Sequence, residues 1–231
     1  MATFQDSIEL YTRELETDDI STAQLGILIA DTINEWVEKA PIELLYKHSI
    51  ESLTIPNEGV AVSNKKLLKV FRDGRICAVK DFEKHDMFTD SGSIHYASKY
   101  TPVCYIEALG ATEVTGDIVG PHLKIFPLLE NAETAKGYFF TYQTTISPTL
   151  ETTSVPGVPP RMAPLIVLSV TEKVLAHKLG MMIHEEEDSE VSQIIEKQLQ
   201  FVRVQIQEQA QRLGIGEPMA GKLHMYTKGQ Q

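Results

Sequence analysis

The stretch Leu67-Leu68-Lys69-Val70-Phe71-Arg72-Asp73-Gly74-Arg75-Ile76-Cys77-Ala78-Val79 places an Asp-Gly pair between two apolar runs. An Asp-Gly pair supplies the two positive φ angles of a type I′ turn, so the stretch predicts a β-hairpin. Further β signals follow it. Residues 103–108 read as a strand, as do 122–126, which Pro127 closes. Residues 137–145 alternate with period two and set Tyr138, Phe140 and Tyr142 on one face, read as core with an interface role as the alternative. Between the hairpin and these strands, 82–99 is polar and mixed and reads as a long loop.

Upstream of the hairpin the period changes to that of a helix. Ser21 and Gln24 form a capping box, and Leu25, Leu28, Ile29, Ile33, Trp36 and Val37 fall on one stripe of a helix over Thr22–Lys39. Pro41 ends that helix, because the residue before a proline is pushed out of the α region. The same proline can open a short helix over 42–48. A weaker helix is predicted over 6–14.

Downstream, 152–164 carries Pro156, Pro159, Pro160 and Pro164. That density excludes a helix or a central strand and predicts an extended connection. Pro164 suits the first turn of a helix over 162–181, with Leu168, Val174, Leu175 and Leu179 among its apolar positions. Residues 184–188 read as an acidic turn, and Asp188 or Ser189 caps a long helix to residue 213. Its narrow stripe is Val191, Ile194, Ile195, Val202, Ile206, Ala210 and Leu213, with Gly214 placed for the C-cap. The tail from 215 to 231 has little periodicity and is expected to be disordered or extended in the free protein.

These readings predict an α+β fold: a helical bundle with an antiparallel β-rich middle. The bundle comprises N-terminal helices over 6–48 and a long C-terminal helical hairpin over 162–213. One domain is expected over 1–214, with the β-rich insertion at 53–147, followed by the extended tail 215–231.

The chain has 231 residues, 42% of them apolar, and a formal net charge of −11. Such a chain can bury a core without staples. Phosphate backbones repel it, and no Lys/Arg stripe offsets that, so sequence-specific nucleic-acid binding is not expected. An acidic surface would let DNA pass without sticking, or it simply keeps the protein in solution; both readings stand. Cys77 and Cys104 fit no disulfide framework or metal spacing, which suggests a reducing compartment. No apolar run reaches membrane-spanning length, and residues 1–15 carry Asp6, Glu9 and Glu14 rather than a signal sequence. The protein is expected to be made in a cytoplasm and to touch no membrane.

Patterns that would carry chemistry are weak. His184-Glu185-Glu186-Glu187-Asp188, with His177 one heptad earlier, lacks the H-E-x-x-H spacing, and consecutive acids point in different directions. Gly110, Gly116 and Gly120 match no phosphate-binding loop, and Ser147 and Ser154 lie in no nucleophile elbow. Cys77 and Cys104 sit in apolar strands, where a cysteine behaves as a small hydrophobe. Trp36 reads as core. No catalytic, cofactor-binding or metal-ligating residue is predicted.

The order of elements resembles the head–tail adaptor, or head-completion, proteins of tailed bacteriophages. The resemblance rests on the segment Ile29-Ala30-Asp31-Thr32-Ile33-Asn34-Glu35-Trp36 in an N-terminal helix. It continues in the strands Pro102-Val103-Cys104-Tyr105-Ile106, His122-Leu123-Lys124-Ile125-Phe126-Pro127 and Tyr138-Phe139-Phe140-Thr141-Tyr142. The connection Val158-Pro159-Pro160-Arg161-Met162-Ala163-Pro164 follows, then a helix with Ala176 and Leu179, then a second helix. It covers most of the chain as a pattern without a shared fingerprint, and 82–99 is longer here than the pattern has.

The resemblance implies a virion structural protein at the head–tail interface, a subunit of a ring, commonly twelvefold, docked on the portal protein. It implies a monomer until the portal templates the ring, a downstream neck or tail protein as a further partner, and DNA passing through the lumen. By position it implies portal contacts at Lys222, Leu223, Met225, Tyr226 and Lys228, in a tail that could fold on binding. Three other readings remain beside it: another neck or tail-completion protein, a cytosolic enzyme with an unrecognised site, and a host-directed binding module.

Overall fold

The computed structural model describes residues 2–12, 20–49, 51–108, 120–130, 133–184 and 189–215. Along the chain run α1 (Phe4–Thr12), α2 (Thr22–Lys39), α3 (Ile42–Tyr46), β1 (Glu51–Thr54), β2 (Val60–Ala61), β3 (Lys65–Arg72), β4 (Arg75–Ile76) and β5 (Ala78–Val79). Then come α4 (His85–Thr89), β6 (Val103–Ala108), β7 (Pro121–Phe126), β8 (Ala135–Thr141), α5 (Ala163–His184) and α6 (Ser189–Arg212). The fold is α+β with a C-terminal helical hairpin. The chain divides into two compact units. One combines Met1–Pro41, Gln143–Val155 and Pro159–Gln231, and the other combines Ile42–Tyr142 with Pro156–Val158. The β-rich insertion therefore takes α3 with it.

The helical unit is built around α5. Leu165, Ile166, Leu168, Val170, Val174 and Leu175 are buried, and they point in every direction around the helix, as in a helix enclosed by others. Its packing partners are α1, α2 and α6. Phe4 and Ile8 of α1 and Leu25, Ile29, Ile33 and Val37 of α2 are buried. Each such side chain contributes about 1.5–3 kcal/mol of transfer free energy. The capping box of α2 forms as its sequence predicts: Ser21 Oγ accepts from the Gln24 N–H, and Gln24 Oε1 accepts from the Ser21 N–H at 2.9 Å.

Helix α6 ends in a Schellman motif. The Gly214 N–H donates to Gln211 O, the Ile215 N–H donates to Ala210 O, and Gly214 takes φ +68. Ile215 is buried behind it. The apolar positions of α6 do not form one stripe. Ile195, Leu199, Val202, Ile206 and Ala210 are buried, whereas Val191 and Ile194 are exposed. Leu199 belongs to the buried stripe that sequence periodicity had extended to Val191 and Ile194.

The β unit has two four-stranded sheets, ordered β1-β8-β3-β4 and β2-β7-β6-β5. The hairpin at Asp73-Gly74 forms as expected, with φ +45 and +78 at its two corners. The expected strand over 76–79 does not. Ile76 pairs with Phe71 in the first sheet, and Ala78 pairs with Val103 in the second, in parallel. The run is cut at Cys77, whose N–H donates to Val70 O while Ala78 donates to Pro102 O. Its two ends are claimed by different sheets. Cys77, Cys104, Ile55, Val70, Leu123 and Phe139 then close one core built from both.

Further expectations are corrected. The strand predicted over 137–145 is Ala135–Thr141. Beyond it Gln143 belongs to the helical unit, where Asn34 binds its backbone with both ends of its amide, at 2.7 and 3.0 Å. The aromatic residues of this strand do not share one buried face. Phe139 enters the inter-sheet core, Tyr138 packs edge-on to Tyr46 and Phe71 beneath α3, and Phe140 is buried beside Gly157. The segment 82–99 is not a plain loop. It contains a 3-10 turn at Phe82–Lys84 and α4, and it buries Phe88 and Ala97 against Val103, Tyr105 and Phe126. Likewise Pro160–Met162 forms a 3-10 turn leading into α5, with Pro160 in its first positions, where the missing N–H costs nothing.

Candidate interaction surfaces

Burial pushes the Cys77 thiol up to about 11 and the Cys104 thiol up to about 12. Each sits in the apolar core without a base, so neither provides a thiolate at neutral pH. His122 is buried on β7, where its Nδ1 lies 2.9 Å from Gly120 O, and its Nε2 has no partner among the described residues. One imidazole with no second acid, base or nucleophile makes no acid–base site. His177 is exposed and lines a cavity of about 290 Å³ with Ile20, Gln24, Leu28 and Lys173. The amine of Lys173 is engaged there, donating to Thr32 Oγ1 and Glu35 Oε2, each at 3.1 Å. Glu35 is held below the usual glutamate range, foremost by its hydrogen bond from Lys39 and also by Lys173.

The acidic turn 185–188 lies outside the described residues, as do Gly110 and Gly116. Among the described residues, no cluster of three or more His, Cys, Asp or Glu could hold a metal. Among them, too, no helix is long and apolar enough to cross a membrane. Trp36 is half-buried, and its indole N–H donates to Ser169 Oγ on α5 at 2.7 Å, which ties α2 to the central helix.

A buried polar cluster lies in the β unit. Arg72 is buried at the end of β3. It donates to Pro127 O at 2.6 Å, to Leu128 O at 3.0 Å and to Glu133 Oε2 at 2.5 Å. Asn57 adds a second clamp on the same loop, accepting from the Leu129 N–H at 2.7 Å and donating to Leu129 O at 3.1 Å. All three of these bonds run to the segment 127–133, so the cluster fixes the loop between β7 and β8.

Among the described residues, two exposed apolar surfaces remain. In the β unit, Val79, Phe82, Met87, Ile94, Tyr96 and Tyr100 are exposed around α4 and the β5 edge. Arg75 lies over the Tyr100 ring at 4.8 Å, an arrangement of cation and aromatic frequent at protein interfaces. In the helical unit, Ile194, Phe201 and Val204 of α6 are each more than half exposed. Solvated apolar groups of this size, gathered together, mark places where something docks. Neither surface was singled out from the sequence. Exposure of one flank of an amphipathic helix cannot be read before its packing partners are known. Lys222, Leu223, Met225, Tyr226 and Lys228, to which the resemblance assigned portal contacts, lie outside the described residues.

No family model matches the chain, and no curated protein matches it.

Proposed function

We propose that this chain is a structural component of a virion. Within that class we read it as a head–tail adaptor of a tailed bacteriophage, one subunit of a ring beneath the portal protein. The observation that carries the reading is the arrangement of its parts: a helical unit in which α1, α2 and α6 surround α5, interrupted between α2 and α5 by a two-sheet β unit. That is the element order on which the resemblance rests.

Two physical features support it. The β unit offers an exposed aromatic and apolar rim, as a subunit needs when it must bury surface against two neighbours in a head-to-tail ring. The chain's charge of −11 suits a conduit wall along which DNA slides without adhering. The work is mechanical. Ring closure buries apolar surface, the tail 216–231 engages the portal, and the gain offsets the entropy of ordering both. No catalytic step, metal or cofactor is assigned. The core thiols offer no nucleophile to the alternative reading as a cytosolic enzyme.

Native mass spectrometry of the chain mixed with the portal protein encoded beside it tests this reading. Portal-matched stoichiometry, commonly twelve, is expected. Deleting the residues after Ile215 should leave the fold intact and abolish portal binding. A chain that ignores the portal would move the assignment to another neck or tail-completion protein, and its absence from purified particles would remove the virion reading altogether.

A further inference from the structure

Helix α6 has an electrical property that sets it apart. Its acids, Glu190, Glu196 and Glu208, are matched in number by Lys197, Arg203 and Arg212. All of the chain's net charge of −11 therefore lies elsewhere. Two copies of so acidic a chain repel one another over most of their surface, and least along α6.

The exposed face of α6 carries Lys197, Phe201, Val204 and Glu208. At 3.6 residues per turn these four fall within roughly a 60° arc, on the side of the helix opposite the buried stripe. Among the described residues neither Lys197 nor Glu208 has an ion-pair partner, whereas Arg203, on the other side of the helix, is taken by Glu172 at 2.7 Å. Their spacing is self-complementary. If the helix is laid antiparallel on a copy of itself so that Phe201 meets the partner's Val204, then Lys197 meets the partner's Glu208. By symmetry each contact occurs twice. A single register thus covers Phe201 and Val204 and pairs Lys197 with Glu208.

We propose that two copies of this chain pair through this face, α6 against α6, antiparallel and two-fold symmetric. This departs from the free monomer that the adaptor resemblance implies, and it does not depend on that reading. The contact is isologous and closes at two subunits, so it is distinct from the heterologous contacts that close a ring. A single helix pair covers less than the roughly 1,200 Å² of a stable standard interface, so the dimer dissociates on dilution. Such a pair keeps α6 covered in the free protein and releases it when a stronger partner competes.

Light scattering coupled to size-exclusion chromatography, over a dilution series reaching the millimolar range, tests the proposal with the full chain. The parent is expected to double its mass at high concentration. Lys197→Glu and Glu208→Lys each turn two attractions into two repulsions and should each weaken the dimer about tenfold or more. Mixed together, the two single variants regain opposite charges at both contacts and should form a heterodimer, and the double variant should recover the homodimer. Phe201→Gln should be monomeric with an unchanged circular dichroism spectrum. A parent that stays monomeric throughout overturns the proposal, and so does a dimer that these charge changes leave intact or that mixing fails to restore. Portal binding is read separately, so either proposal can fail without the other.

Discussion

Arg72 and Glu133 meet at 2.5 Å, with the guanidinium buried at the end of β3 and the carboxylate at the lip of the loop that follows Pro127. The same guanidinium donates to the carbonyls of Pro127 and Leu128, so one side chain holds a whole turn of backbone. Replacing Arg72 by Met leaves two carbonyls and a carboxylate without their donor. The cost should be about 3 kcal/mol, read as a lower urea midpoint at unchanged slope.

Glu133 gives this clamp a pH dependence. The Glu130 backbone N–H, and then Arg72, hold its carboxyl below the ordinary value of 4.5. A carboxyl whose pKa is depressed on folding binds fewer protons in the folded state. Its stabilisation is therefore complete above 4.5 and is lost as pH falls through the lower, folded value. Glu133→Gln should be less stable than the parent at neutral pH, and the gap should close in urea titrations below pH 4.5. A gap that stays constant with pH would mean that the carboxylate charge contributes nothing.

Ser169 on α5 accepts the indole N–H of Trp36, the chain's single tryptophan. Ser169→Ala removes the acceptor from a half-buried donor that water reaches in part. A loss of about 1 kcal/mol is expected. Because no other indole contributes, a change in the wavelength of fluorescence emission should accompany it and report on the helical unit alone.

Gly26 lies inside α2, where alanine ordinarily gains about 1 kcal/mol of helix propensity. A Cβ at Gly26 would stand 2.7 Å from Ile146 O, in a residue held against the helix by its own N–H, which donates to Gly26 O at 3.1 Å. Gly26→Ala should therefore destabilise the protein by about 1–3 kcal/mol, as overpacking does, and lower its melting temperature. A rise would mean that the loop at Ile146 yields freely.

Cys77 and Cys104, raised to about 11 and about 12, should resist a disulfide reagent at pH 8 in the folded protein and react at once in denaturant. For thiols whose pKa rises on folding, the stabilisation is complete below the unfolded value of 9.0 and is lost as pH climbs past it. Stability should therefore decline on the alkaline side. Labelling at the rate of a free thiol under native conditions would contradict the buried placement of both.

The sequence by itself determined what closes within a few residues. The capping box at Ser21 and Gln24, the Asp73-Gly74 turn, the stop at Pro41 and the cap at Gly214 each satisfy backbone groups locally, and each stands where the sequence predicts. The helical hairpin and the β-rich middle follow from period alone. Choices between distant partners were left to the tertiary structure. Residues 76–79 read as one strand because each of them is a good strand residue, yet Val70 and Pro102, far apart in sequence, bind its two halves. Phe139 and Phe140 are equally apolar neighbours, and which of them enters the inter-sheet core depends on the pairing of β8 with β1 and β3. Along α6, both flanks are apolar enough to be buried. Only the packing of α5 decided that Leu199 and Val202 are enclosed while Phe201 and Val204 face solvent, because burial is a property of what lies opposite and no local pattern contains it.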